Sequence, residues 1–168
     1  MSTRLALAMS WLLIGLACNN ASSSASNAPV SAVDFESEEC AVCGMLVREQ
    51  PAPRAQAIFR DATRAFVCSP AELIQLIAAP SAHGKPAALF VETVAPDVDP
   101  AQLGAAPSHA WIDAQRAWYV VGVPRSGVMG TPLLAYAERS AAERVAARFG
   151  GRVADWAASR AVVLGTTP

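Results

Sequence analysis

Two stretches of this chain echo one another, Asp61-Ala-Thr-Arg-Ala-Phe-Val67 and Asp113-Ala-Gln-Arg-Ala-Trp-Tyr-Val120, and the echo limits the fold more than any other feature. A short apolar strand precedes each, Ala55 to Phe59 and Ala110 to Ile112. The Asp-Ala-Thr-Arg and Asp-Ala-Gln-Arg cores are polar enough to turn the chain, so both stretches read as β-hairpins. A helix start follows each hairpin. Ser69-Pro-Ala-Glu72 is a capping box with proline at the first helical position, and Leu73, Ile74, Leu76 and Ile77 form the apolar face before Pro80. Ser140-Ala-Ala-Glu143 is the matching signal, with Val145, Ala146 and Phe149 on one side of its helix and Gly150-Gly151 as the stop. A further strand follows each helix, at Ala88 to Val94 and around Arg152 to Trp156.

The predicted fold is therefore α+β: two small duplicated strand-strand-helix-strand units, each an antiparallel sheet with one face under its helix and the other solvated. The first unit is expected at 30–96 and the second at 110–168. Between them, 97–109 reads as a linker, and Gly122 to Thr131 is a Gly- and Pro-containing loop.

Ahead of the units, one positive charge at Arg4 is followed by an apolar run from Leu5 to Ala17, broken only by Ser10, and then Cys18. This pattern predicts a secretory signal over 1–17, too short to span a membrane. It resembles a lipoprotein signal at Ala17 and Cys18, although Gly15 stands where such signals usually carry leucine. Two outcomes stay open, lipid attachment at Cys18 or ordinary cleavage nearby. Asn19 to Ala28 contains only Asn, Ala and Ser, so 18–29 is expected to be a flexible tether. The formal net charge is −1 and Lys85 is the only lysine, which leaves no basic stripe and excludes nucleic acid as a partner class.

The chemistry lies in the sulfur residues. Cys40-Ala-Val-Cys43-Gly-Met45 gathers three sulfurs in six positions. Cu(I) is a soft cation that prefers thiolate and thioether donors, and Gly44 lets the backbone fold Cys43 and Met45 toward one point. Met129, in the loop Gly127-Val-Met129-Gly-Thr-Pro132, is the candidate for a third donor. Core packing is the other role open to each methionine. Thioethers also suit an exported protein, because they bind Cu(I) without deprotonation and resist oxidation to disulfides.

On these residues the chain resembles the NosL family, copper-binding lipoproteins associated with nitrous oxide reductase maturation. The resemblance rests on Cys-x-x-Cys-Gly-Met, the Arg-Ala-Phe-Val and Arg-Ala-Trp-Tyr-Val hairpins, the Met-Gly loop and the Gly-Gly stop. It implies Cu(I) held by Cys43, Met45 and Met129, with Cys40 as a fourth participant or redox partner. It also implies a non-enzymatic metallochaperone, lipid-anchored on the periplasmic side of a bacterial membrane, with the outer membrane preferred over the inner. The copper recipient it implies is nitrous oxide reductase or its ABC-type maturation complex.

The residues admit three rival readings. Cys40-Ala-Val-Cys43 is also the signature of a thiol-disulfide redox protein, yet it runs into Gly44-Met-Leu-Val47, which looks like a strand or turn rather than a helix start. Zinc would need Cys40, Cys43, Cys68 and His83 or His109, without a second paired motif. A structural or adaptor lipoprotein would use its sulfurs only for a disulfide and packing. Cys68 reads as a small buried hydrophobe at a strand–helix junction, His83 and His109 as solvent-side loop residues, and Trp111, Trp118 and Trp156 as core. His109 is an outside candidate for a copper donor. No hydrolase or phosphate-binding motif supports an enzyme.

Overall fold

The computed structural model describes residues 30–105, 109–128 and 130–166. The leader, Cys18, the tether and Met129 lie outside the described residues.

Strand β1 (Ala55–Phe59) turns through Arg60 to Thr63 into β2 (Arg64–Val67), its antiparallel partner. The turn is closed by the Phe59 N–H on Thr63 O at 2.8 Å and by Asp61 Oδ1, which accepts the Thr63 N–H. Ser69 then caps α1 (Pro70–Ala78) by accepting the Glu72 N–H at 3.2 Å, with Pro70 in the first turn as expected. Ala71, Leu73 and Ile74 form its buried side. Strand β3 (Pro86–Glu92) returns to the free side of β1, which gives the order β2-β1-β3.

The second unit repeats this path. Strands β5 (Trp118–Val121) and β6 (Leu133–Tyr136), helix α2 (Arg139–Phe149) and strand β7 (Arg152–Ala154) form a sheet ordered β6-β5-β7, again with the first strand in the centre. The strand-strand-helix-strand duplication is thus real at the level of topology.

Its parts differ from the sequence expectation in several places. Strand β4 (Trp111–Asp113), expected to open the second unit, pairs instead with β3 as a fourth strand of the first sheet. The polar turn after it therefore links two sheets rather than closing a hairpin. Asp113 still makes that turn, with Oδ1 accepting the Gln115 N–H at 2.8 Å, and the Tyr119 hydroxyl pins it by donating to Ala114 O at 2.7 Å. The true partner of β5 is β6, whose Leu-Leu-Ala-Tyr run is buried at every position and carries no alternation to betray a strand.

The Ser140 capping box does not form. Helix α2 starts two residues earlier with Glu138 as cap through its backbone, and Arg139 pairs with Glu143 at 2.8 Å along the helix surface. Gly150, at φ +84, ends the helix as expected. Finally, Trp156 opens a third helix, α3 (Trp156–Leu164), capped by Asp155, where a strand was expected. All three tryptophans of the folded part are half-buried rather than fully internal.

The second sheet is covered on both faces, contrary to the expected solvated face. Tyr119, Val121, Leu133 and Ala135 join one apolar cluster with β1, α1 and Cys40, while Val120, Leu134 and Tyr136 join another with α2. Strict alternation along β5 and β6 thus sends neighbouring residues into different cores. Across the first sheet, Arg54 and Glu92 form a buried ion pair with Nε–Oε2 2.7 Å and Nη2–Oε1 2.8 Å, and Glu92 also accepts the Arg54 N–H. Among the described residues no helix is long and apolar enough to cross a membrane.

Candidate metal centre

Cys40 stands beside β2 of the first sheet. It forms an isolated parallel bridge to Phe66 of β2, and the Ala41 N–H donates to Phe66 O at 2.9 Å. From there Cys40 to Met45 make a tight loop, closed by Cys40 N–H on Met45 O and Gly44 N–H on Cys40 O, both 2.8 Å. Gly44 has φ +74, a conformation that a side chain disfavours, so glycine is what lets the loop fold back. The Cys43 N–H consequently points at Cys40 Sγ at 3.4 Å.

This loop lies beside the end of β2, and the next residue along that path is Cys68. Its Sγ is 3.5 Å from Cys43 Sγ. Cys40 Sγ is 3.5 Å from Glu72 Oε2, close enough for one proton to lie between them. The four ligand atoms of Cys40, Cys43, Cys68 and Glu72 all fall within 4.8 Å of one another. All three thiols are free. Cys40, Cys68 and Glu72 are buried, and Cys43 is half-buried at the mouth.

Helix α1 builds the floor of this cluster. Glu72 lies in its first turn, and its carboxylate reaches past the cap to accept the Cys68 N–H at 2.9 Å. A hydrogen bond from the Cys68 thiol, helped by the backbone N–H groups of Cys43 and Val42, holds the Cys40 thiol well below the usual range. The same bond to Cys40, with burial, pushes Cys68 far up. Burial chiefly raises Cys43. Burial first, and then the charge on Cys40, raises Glu72. Cys40 is therefore the thiol that ionises first.

Met45 is half-buried beside Cys68 and Glu72, and the three line a cavity of about 10 Å³ together with Gly127 and Val128. Those last two residues immediately precede Met129. The loop read from the sequence as the source of a distant sulfur therefore borders the same space as the Cys-x-x-Cys-Gly-Met element.

Sequence reasoning missed Cys68 and Glu72. By local pattern Cys68 reads as packing and Glu72 as half of a capping box, and neither pattern points elsewhere. The available signal was their spacing, since residues one before and three after a helix cap meet at the first turn. The three cysteines of the zinc alternative do converge, but the fourth member is a carboxylate rather than a histidine. His83 is exposed and bonds Asp61 at 2.7 Å, and the His109 N–H donates to Glu92.

Known proteins share this arrangement of sequence and fold. The NosL family model matches residues 32–161. The copper-binding lipoprotein NosL of Stutzerimonas stutzeri is 35% identical over 122 residues, which cover 70% of this chain. The match spans only 60% of that protein's length. The crystal structure of the copper chaperone NosL from Shewanella denitrificans aligns at 25% identity with a TM-score of 0.64, over 77% of this chain and 96% of that one.

Proposed function

The chain belongs to the NosL family, and from that membership we propose that it is an exported metallochaperone that carries one Cu(I) ion on sulfur ligands to a protein recipient. The single observation that carries this reading is the meeting of Met45, Cys68 and the loop before Met129 around one small cavity, beside the free thiols of Cys40 and Cys43. The proposed ligands are Cys43, Met45 and Met129, with Cys40 the fourth participant.

The donor set suits the cargo. Thiolate and thioether sulfurs favour a soft monovalent ion, and a site open at Cys43 and Met45 leaves the ion exchangeable. The role is binding and transfer, not catalysis. By analogy with the family the recipient would be nitrous oxide reductase or its ABC-type maturation complex, reached from a Cys18 lipid anchor on the periplasmic side, with the outer membrane preferred.

A thiol-disulfide redox role is the second reading, favoured by the low Cys40 thiol. Against it, Cys40-Ala-Val-Cys43 lies in a turn rather than at a helix start, and the short sulfur–sulfur distance joins Cys43 to Cys68.

Anaerobic Cu(I) titration against a chromophoric chelator tests the proposal. The parent protein should bind one ion tightly, and Cys43→Ser, Met45→Ala and Met129→Ala should each weaken binding. Retention of parent affinity by all three would remove the ligand set, and turnover in an insulin-reduction assay would favour the redox reading.

A further inference from the structure

Three thiols converge at the centre, whereas the Cys-x-x-Cys-Gly-Met element supplies only two of them. The third comes from the residue that directly follows β2. Resting on the copper-chaperone reading above, we propose that Cys68 is itself a sulfur ligand of the bound Cu(I) beside Cys43, and that Glu72 is the residue that positions it.

Distance is the first argument. A tetrahedral site with metal–sulfur bonds of about 2.3 Å holds its sulfurs about 3.8 Å apart, and a trigonal one about 4.0 Å. Cys43 and Cys68 stand 3.5 Å apart, and the whole cluster lies within 4.8 Å. An ion entering among these sulfurs needs displacements of no more than about 1 Å. Preorganisation of this kind is what a ligand set requires.

Placement is the second argument. Cys40 and Cys43 belong to a loop, but Cys68 is fixed between the end of a strand and a helix cap, with its N–H held at 2.9 Å by Glu72. Cys68 is 8% exposed and Cys40 is 3% exposed, while Cys43 and Met45 sit at the surface side. The centre therefore grades from buried thiols inward to a thiol and a thioether outward. An ion would arrive and leave past Cys43 and Met45, and Cys68 would set how firmly it is retained.

Chemistry divides the roles of Cys68 and Glu72. A carboxylate is a hard oxygen donor, poorly matched to Cu(I), and Glu72 already spends one oxygen on the Cys68 N–H and the Cys40 thiol. It acts on the ion through the two sulfurs it orients.

The test compares the full-length parent, Cys68→Ser, Cys68→Ala, Glu72→Gln and Glu72→Ala, each loaded anaerobically with Cu(I). Chelator competition gives affinity, copper K-edge X-ray absorption gives the number of bound sulfurs, and far-UV circular dichroism shows that each variant is folded. Both Cys68 variants should lose one sulfur from the coordination shell and weaken binding by at least about tenfold, the lower bound for disturbing even an outer partner of a metal ligand. Glu72→Gln, whose amide oxygen can still accept the Cys68 N–H, should keep the sulfur count and the affinity. Glu72→Ala should weaken binding about tenfold while the conservative variant rescues it. Parent-like affinity and sulfur count in a folded Cys68→Ser or Cys68→Ala would overturn the assignment and leave the chaperone reading intact. Failure of the parent to bind Cu(I) would overturn both.

Discussion

Glu72 holds Cys68 by its backbone, accepting the N–H at 2.9 Å from inside the first turn of α1. A residue of the helix's first turn thereby also fixes the sulfur that precedes the helix, which ties the geometry of the centre to the stability of one helix terminus. Burial raises Cys43, and a bond to Cys40 together with burial raises Cys68, so both are protonated near neutral pH. A metal that takes either thiol must release its proton. Raising the pH should therefore tighten Cu(I) binding, by about tenfold per pH unit for each proton released. Chelator competition at several pH values measures the slope, and a flat profile would mean that neither raised thiol binds the ion.

Arg54 and Glu92 carry opposite charges with side chains only 2% and 0% exposed, joined by two short contacts across β1 and β3. Removing one member leaves the other charged and buried. Arg54→Ala should destabilise the protein by about 3–5 kcal/mol, and replacing both residues by apolar ones of similar volume should lose much less. Urea denaturation of the two variants decides between an ion pair that matters for stability and one that is easily replaced.

Gly151 holds a backbone conformation with φ +93 just before β7, and a Cβ there would stand 2.7 Å from Val121 O. Backbone strain alone should cost about 1–3 kcal/mol in Gly151→Ala. The clash falls on the β5–β7 pairing, so hydrogen exchange should accelerate first at Val121 and Val153. Unchanged stability would show that the sheet can shift to admit a methyl group.

Asp155 caps α3 by accepting the Ala158 N–H at 2.8 Å, and the helix lays Trp156 against Tyr119 with ring centres 6.0 Å apart. Asp155→Ala should cost about 1 kcal/mol, a fall in melting temperature of about 2–4 °C for a chain of this size. Thermal unfolding followed by tryptophan fluorescence reports on that contact directly.

The local elements were legible wherever a signal sat within a few residues. Ser69 and Pro70 announced α1, Ala55 to Phe59 read as a strand from composition, and the Gly150-Gly151 pair closed α2. The Cys-x-x-Cys-Gly-Met element likewise declared a sulfur site, because its donors and the glycine that folds them are neighbours in the chain. Strand β6 was silent, since a strand buried on both faces has no alternation to read. So was the pairing of β4, because the repeat in the sequence says which residues turn but not which free edge the incoming strand will meet.

Sequence by itself determined the two-unit plan, the family and the sulfur content of the candidate site, since periodicity, caps and residue types are properties of short segments. Only the tertiary structure decided that the first sheet takes a fourth strand, that the second sheet is buried between two cores, and that Cys68 and Glu72 stand with Cys40 and Cys43. The reason is the same in each case. Which strand edge is free, which face is covered and which thiols meet depend on how distant segments exclude water together, and no window along the chain contains both sides of such a contact.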